Sequence, residues 1–437
     1  MIQAAAPELS ESAQLLCAAL IATIPLAAAG LTLMNAGLGR SRSATHAMLG
    51  SLCAVAVAIL AFSICGFSWQ GLPGGPAIRF TAAGHSWNWI GREPFFLRAV
   101  QFDNPRAALT VWLQLFSVGI AALIPLGAGN DRWRLGAVCL SSAILAGWTY
   151  PLFAHWCWGG GWLGQPDVAG GVGFGLLDSG GAGAIHAVGG LTALSIACIL
   201  GPRRGKYAPG GIPTATPGHN AVLVLFGCFL NLVGFVGLNG SGSILLSGAA
   251  ARNVPLVAVN TSLAAAAAAL AAAGITGLRF GRPDASICAN GWTGGLVAAS
   301  AACAFVDPAA AAFTGAVAGA VVALAVEWLD ARARVDDPAG SISVHAGGGL
   351  WGMLAAALFA RTSNPDPWLG QLAGIAALLF LILPMTYALN RVLNRFYPQR
   401  VPAEGELQGL DLYELGAGAY PEFVTHREEY KFNPKSK

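Results

Sequence analysis

The chain has 437 residues, 55% of them hydrophobic and 10% charged, with a mean hydropathy of +0.60 and a formal net charge of +3. An ordinary soluble domain is about 25% charged, so the composition excludes a soluble globular protein and indicates a membrane protein. A soluble chain of this length would need several domains, no Ser/Pro-rich or charge-rich linker divides it, and 24 Lys and Arg against 21 Asp and Glu give too weak a field to suggest nucleic acid.

The N-terminal MIQAAAPELSESAQ lacks a basic start and leads straight into an apolar stretch, so no cleavable signal is expected. A spanning helix needs about 20 residues with few or no charges. In chain order such stretches lie at about 13–38, 44–68, 107–129, 135–157, 179–201, 218–240, 254–277, 285–306, 308–328, 341–360 and 368–390. They predict eleven helical spans and an all-α membrane protein. The adjoining pair near residue 307 reads as two spans, because Asp307-Pro308 marks a turn.

An odd span number places the two ends on opposite sides. With the N-terminus outside, the inner loops carry Arg40, Arg42, Arg132, Arg134, Arg203, Arg204, Lys206, Arg279, Arg282, Arg332 and Arg334. The tail adds seven more basic residues, leaving outside only Arg79, Arg92, Arg98, Arg106, Arg252 and Arg361. This bias follows the positive-inside rule and predicts a cytoplasmic C-terminus. The long loop at 69–106 is Gly/Pro-rich, and its Trp69, Trp87 and Trp89 suit a membrane-interface belt. All nine cysteines fall within or at the edges of spans with no CxxC pair, which points to apolar packing rather than a disulfide or metal framework.

Two spans share a motif: IHAVGGL at 185–191 and VHAGGGL at 344–350. His186 lies in the fifth span and His345 in the tenth. An offset of five makes the two helices run in opposite directions. Five plus five plus one is the arithmetic of an inverted-topology repeat, which places matched elements around one site near the bilayer midplane. Gly189 and Gly190 in one copy, and Gly347, Gly348 and Gly349 in the other, allow close helix approach, as do Gly315 and Gly319 in the ninth span. The domain reading is a membrane unit over residues 1–393, with repeats at about 13–202 and 218–361 and an eleventh helix at about 367–393, followed by a tail at 394–437. The two rings have several readings: a structural tie to neighbouring carbonyls, a polar element of an interior pathway, bis-imidazole haem ligation, or zinc. The flanking glycines leave little bulky wall for a haem, and no third or fourth ligand is evident for zinc.

DSGGAGAIH at 178–186 resembles the D-x-A-G-x-x-x-x-H signature of the Amt/Rh ammonium transporter family, and VDDPAGSISVHAGGGLWG at 335–352 resembles the stretch bearing its second histidine. YPLFAHWCWGGGWL (150–163), NGWTGGLVAASAACAFV (290–306) and GLDLYELGAGAY (409–420) match further family segments in order. The resemblance implies a homotrimer of eleven-helix subunits, each with its own narrow apolar pore in a cell membrane, a bacterial inner membrane here. It implies a transporter and not an enzyme, with no cofactor.

Residue chemistry fits that implication. Moving a bare cation into hydrocarbon costs tens of kcal/mol in the Born limit, so ammonium in an apolar tube must lose water, lose its proton, or meet substitutes. Desolvation disfavours the charged form of an amine, and an imidazole donates or accepts at either nitrogen. By resemblance, His186 and His345 line the pore and relay or orient ammonia and its proton. Trp158 matches the aromatic residue at the outer mouth, where a cation over an indole gains about 0.5–2 kcal/mol; it also suits an interface belt. Asp178 reads as a helix cap, and the resemblance adds an indirect part in recruiting the cation.

The chain departs from the family at its outer gate. The family's F-Q-x-x-F stretch reads LQLFS, so Leu113 and Ser117 stand at the phenylalanine positions. Its G-W-F-G-F-N stretch reads GFVGLN at 234–239, with Phe235 for the tryptophan and Leu238 for the second gate ring. NGSGS at 239–243 leaves Ser241 and Ser243 as candidates for the recruiting serine. A pore without these rings is leakier, takes a larger amine, or is sealed by another side chain.

Three readings follow: an ammonium transporter, a poorly conducting ammonium-binding sensor, and a channel for another small amine or neutral solute. The tail is either solvated or, as the resemblance implies, packs beneath neighbouring subunits and meets a PII-type regulatory protein.

Overall fold

The computed structural model describes residues 8–82, 84–164, 175–362 and 367–420. The described residues fold mainly into helical elements: α1 Glu11–Leu38, α2 Ser41–Gln70, α3 Pro105–Gly129, α4 Leu135–Cys157, α5 Ala182–Leu200, α6 Ala221–Leu245, α7 Ala251–Phe280, α8 Ala285–Ala299, α9 Pro308–Ala333, α10 Ile342–Phe359 and α11 Pro367–Phe396. Among the described residues, all but α8 are long and apolar enough to cross a membrane, so ten such helices stand where the sequence predicted eleven.

The exception has a physical cause. The stretch expected to span at 285–306 is helical for 15 residues to Ala299 and then continues as turns. Irregular backbone inside a membrane protein must find partners, and here it does. Asn260 of α7 donates through Nδ2 to the carbonyls of Cys303 (2.8 Å) and Val306 (2.9 Å). The carbonyls of Ser300 and Ala301 accept from Gly180 N–H (2.6 Å) and Ser179 N–H (2.9 Å). The unwound end of α8 thereby fixes the segment that leads into α5.

A second departure from the all-α expectation lies in the long loop between α2 and α3. There β1 (Ala77–Ala82) pairs antiparallel with β2 (His85–Gly91), with Phe80 opposite Trp87. Alternating bulky residues in AIRFTA and HSWNWIG give the period of two that a strand requires, and Gly84 supplies the positive φ of 78° for the tight turn. The hairpin stacks Trp89 on Trp162 (centroids 6.2 Å) and sets Trp87 tilted against it (5.6 Å), so these rings build one aromatic cluster as well as suiting a belt.

Small residues set the helix spacing. Gly315 and Gly319 of α9, expected as a close-packing pair, face Ala264 and Ala268 of the alanine-rich α7, leaving no space for a Cβ at either glycine. Helix caps come from Ser10, Asn104, Asn220, Asp284 and Asp307, each accepting from backbone N–H groups of the first turn.

The ends of α3, α5 and α9 converge on a buried charge cluster. Arg203 forms a two-pronged pair with Asp336 (Nε–Oδ2 2.9 Å, Nη2–Oδ1 2.9 Å) and reaches Asp131 (3.0 Å). Arg132, fully buried, donates to the carbonyls of Gly201 (2.7 Å) and Asp336 (2.8 Å). Burial pushes the Asp336 carboxyl up, but the Arg203 hydrogen bonds and the Arg132 and Arg203 charges prevail and hold it below the usual carboxylate value. A short helix α12 (Ala403–Gln408) and a π-helical turn at Asp411–Leu415 follow α11, which continues to Phe396, past the predicted end at 393. This tail lies on its own chain: Glu406 pairs with Arg400 (2.7 Å), Asp411 accepts from Thr45 and His46 N–H (3.1 and 2.7 Å), and Glu414 meets His46 Nε2 (2.8 Å) and Leu135 N–H (2.9 Å).

Candidate functional site

His186 and His345 each sit in a π-helical turn, at Ala182–Ala187 and Ile342–Gly347, where their helices begin. Such turns frequently mark functional positions. The two rings meet deep in the bundle. Their Nδ1 atoms are 3.2 Å apart, the centroids 5.2 Å apart and the planes 20° from parallel. His186 is fully buried and His345 is 3% exposed. A contact between two Nδ1 atoms requires one ring to carry its hydrogen at Nδ1 and the other to offer a bare lone pair there. Among the described residues nothing bonds His186 Nε2.

Reciprocal close packing brings the rings together. Gly190, four residues after His186, faces Ala346, the residue after His345; an added Cβ would lie 2.8 Å from Ala346 Cα. Gly349, four residues after His345, faces Ala187, the residue after His186; its Cβ would lie 3.1 Å from Ala187 N. The same two contacts, exchanged between antiparallel helices, are what an inverted repeat produces.

Each histidine helix is capped by an acid eight residues earlier. Asp178 Oδ2 accepts from Gly183 and Ala184 N–H (3.1 and 2.8 Å). Asp337 accepts from Ser341 N–H (3.0 Å) and Ile342 N–H (2.7 Å). The matching Asp-to-His spacing in both motifs was a signal for Asp337, which the sequence reading passed over. Burial raises the Asp178 carboxyl to about 7 despite the opposing backbone N–H groups. Burial likewise raises Asp337 to about 6, against its helix N–H bonds. Asp178 Oδ1 has no partner among the described residues, and the Asp178 carbonyl accepts from Trp158 Nε1 (2.8 Å). Asp178 and Trp158 are thus one unit, and the indole is locked in orientation with 8% of its surface exposed.

The gate positions are buried. Leu113 and Ser117 are fully enclosed, Ser117 Oγ donating back to the Leu113 carbonyl (2.9 Å), and Leu238 is 1% exposed. Phe235, one turn before Leu238, stacks on His186 with centroids 5.0 Å apart and planes 7° apart. In the sequence Phe235 reads only as a replaced tryptophan; its ring is a wall of the histidine site. Gln114, between Leu113 and Ser117, hydrogen-bonds the Tyr150 hydroxyl and leaves its amide nitrogen without a partner among the described residues. The two serine candidates do not join Trp158. Ser241 Oγ donates to the Gly237 carbonyl of its own helix (2.7 Å), and Ser243 lies against Cys303 Sγ (3.8 Å).

Beyond His345, Ser343 reaches a cavity of about 150 Å³ lined also by Arg203, Lys206, Asp330, Asp336 and Asp337. Asp178, joined to Trp158, stands eight residues before His186, and Ser343 of the charged chamber stands two residues before His345.

Comparison with known proteins gives a consistent picture. The profile of the Ammonium Transporter Family matches residues 13–420. The chain is 35% identical over 421 residues to ammonium transporter Amt2 of Archaeoglobus fulgidus, covering 92% of this chain and 86% of that protein. It is 29% identical to the ammonium transporter of Bacillus subtilis, covering 90% and 94%. Among solved structures it resembles one described as a sensor Amt protein, with a TM-score of 0.82, 27% identity and coverage of 92% and 97%. The fold also matches Candida albicans Mep2, with a TM-score of 0.79, 23% identity and coverage of 98% and 93%.

Proposed function

This chain belongs to the Ammonium Transporter Family, and on that premise we propose that it carries ammonium across a membrane through the histidine-lined route. The observation that carries the reading is the buried 3.2 Å contact between His186 and His345 on antiparallel helices.

Ammonium approaches the Trp158–Asp178 unit, where the indole face attracts a cation and the buried carboxylate adds negative charge when ionised. Entry among apolar walls strips water and favours the neutral amine. The imidazole pair then offers a donor and an acceptor in place of water, so ammonia is handed along the rings with or without its proton. The acidic groups of the inner chamber receive it. Phe235, flat against His186, fixes that ring so that its free Nε2 edge, not its face, meets the solute.

In this reading α8 is the eighth of eleven spans, shortened by its unwound end. The N-terminus lies outside and the tail is cytoplasmic, which sets the buried charge cluster and most arginines on the inner side, as the positive-inside rule requires. Residues 1–393 form the transporting unit, with repeats at about 13–202 and 218–361, and 394–437 the tail. The protein works as a homotrimer in a bacterial inner membrane, with a PII-type protein as candidate partner at the tail face. Leu113, Ser117 and Leu238 line the outer pore in place of gate rings, while Ser241 and Ser243, turned to Gly237 and Cys303, leave recruitment to the Trp158–Asp178 unit.

A second reading, a sensor that binds ammonium and conducts poorly, is favoured by the likeness to a sensor Amt protein at 27% identity. Uptake of ammonium by proteoliposomes containing an internal pH dye separates the two. Ammonium-dependent flux above that of empty liposomes supports transport; saturable ammonium binding without flux supports the sensor.

A further inference from the structure

We propose that residues 93–98 form a lipid anchor that seats Phe95 and Phe96 at the headgroup–acyl boundary of the leaflet on the hairpin side, with Arg98 placed to meet a lipid phosphate. The inference is independent of what the protein transports.

Two backbone hydrogen bonds fix the path of this loop. Glu93 N–H donates to the Ser68 carbonyl (3.0 Å) and Phe96 N–H to the Ile64 carbonyl (3.0 Å). Ser68 and Ile64 are one turn apart on α2, about 6 Å along its axis, so the loop descends the flank of the helix rather than leaving it for water. Ile64 lies in the π-helical turn Phe62–Gly66, where the regular ladder is interrupted.

The descent brings an apolar pair onto a lipid-facing surface. Phe95 and Phe96 are 47% and 60% exposed, beside Ile64 and Leu60 on the exposed face of α2 at 45% and 62%. That helix is among those long and apolar enough to cross a membrane, so the phenylalanines extend an established lipid-facing stripe. Phe95 also packs edge-on against Trp69 (5.5 Å), which does the same with Trp148 (5.7 Å), an arrangement suited to an interfacial belt.

The backbone bears the marks of this placement. Phe96 and Leu97 have φ of 62° and 56°, a region that side-chain-bearing residues seldom occupy. Such conformations persist where surroundings enforce them, and here two consecutive ones turn both phenylalanines outward. Irregular backbone beside hydrocarbon requires satisfied polar groups. The Phe96 N–H is taken by Ile64, and the Leu97 carbonyl by Val100 N–H (3.0 Å). The Arg98 guanidinium stands 5.7 Å over the Phe96 ring, where its fixed fork can meet a phosphate above the aromatic.

The test places p-trifluoromethylphenylalanine at position 96 of the full chain in nanodiscs of phosphatidylcholine and phosphatidylglycerol, read by fluorine NMR. Broadening by a nitroxide carried near the head of a lipid chain, with little effect from a soluble gadolinium chelate, is the expected result. Broadening by the chelate instead would place the ring in water and overturn the proposal. Protection from both agents would mean that a second copy of this chain covers the patch, and would overturn it equally. The label at Phe95 carries the same test should the position-96 variant fail to fold, and the label at Tyr413, exposed in the tail beyond the last long helix, serves as a chelate-sensitive control.

Discussion

Replacing Gly190 by alanine should drive the two histidine helices apart. An added Cβ would stand 2.8 Å from both Ala346 Cα and the His345 carbonyl carbon, with Ala346 N closer still, whereas carbon atoms pack at about 3.5–4.0 Å. Relief requires a separation of roughly 1 Å, which would stretch the Nδ1–Nδ1 contact from 3.2 Å beyond hydrogen-bond reach. Overpacking of this kind costs about 1–3 kcal/mol, and the helix preference for alanine over glycine returns at most about 1 kcal/mol, leaving a net loss. Gly347 provides the contrast in the other copy of the motif: its nearest neighbour would be Val321 Cγ1 at an ordinary 3.5 Å, and its φ of −62° is helical. Gly347→Ala should therefore be neutral or stabilising by a few tenths to about 1 kcal/mol. Thermal unfolding in nanodiscs, paired with ammonium uptake by proteoliposomes, reads both effects. Gly190→Ala should lower the midpoint and the uptake while Gly347→Ala lowers neither. Equal midpoints and equal uptake for the two variants would refute the claim that close approach at Gly190 builds the site.

Other consequences follow from the same geometry. Asp336→Asn leaves the buried guanidiniums of Arg203 and Arg132 short of their main counter-charge and should destabilise the fold by about 3–5 kcal/mol, seen as a large fall in the unfolding midpoint. The Asp178 carboxyl, raised by burial to about 7 from an ordinary 3.8, binds its proton more tightly folded than unfolded. Its contribution to stability is thus fully present below pH 4 and is lost as pH rises toward 7. Asp178→Asn should flatten that part of the midpoint–pH curve, and an unchanged curve would contradict the shift. Glu414 moves the opposite way: burial raises it, but His46 and the Leu135 N–H prevail and hold it below its ordinary 4.5. The docking of the tail should accordingly weaken as pH falls through that range, visible as faster proteolysis after residue 396 in the native chain but not in Glu414→Gln, whose tail is loosened at every pH. Placing rings at the gate positions, Ser117→Phe with Leu238→Phe, should narrow the outer pore and reduce methylammonium uptake more than ammonium uptake; equal reductions would show that these positions do not select by size.

The sequence made the spans legible because charge-free runs of about 20 residues leave few alternatives in hydrocarbon, and ten of the eleven predicted stretches became helices long and apolar enough to cross a membrane. The eighth differed because Ser300, Ala301, Cys303 and Val306 spend their carbonyls on Gly180, Ser179 and Asn260, pairings with distant residues that hydropathy does not encode. The hairpin was written in the alternation of Phe80, Trp87 and Trp89, yet the two tryptophans also suit an interface belt, and composition alone did not choose. The histidine pair was legible because motif and spacing recur on oppositely running helices; the stacking of Phe235 on His186 was not, since it depends on how α6 is rotated against α5. Asp337 was legible in principle, standing as far before His345 as Asp178 does before His186. Ser241 and Ser243 were placed by motif alone, and the helical phase of α6 turns both to other partners.

Nitrogen NMR of the native protein labelled at histidine, in lipid nanodiscs, tests the central claim most directly, because it reports tautomer and contact at the two rings themselves. The account predicts one Nδ1–H and one bare Nδ1 in coupled partners assigned to His186 and His345, with both resonances moving on addition of ammonium and not of sodium. Two uncoupled rings of the same tautomer, indifferent to ammonium while uptake proceeds, would contradict it.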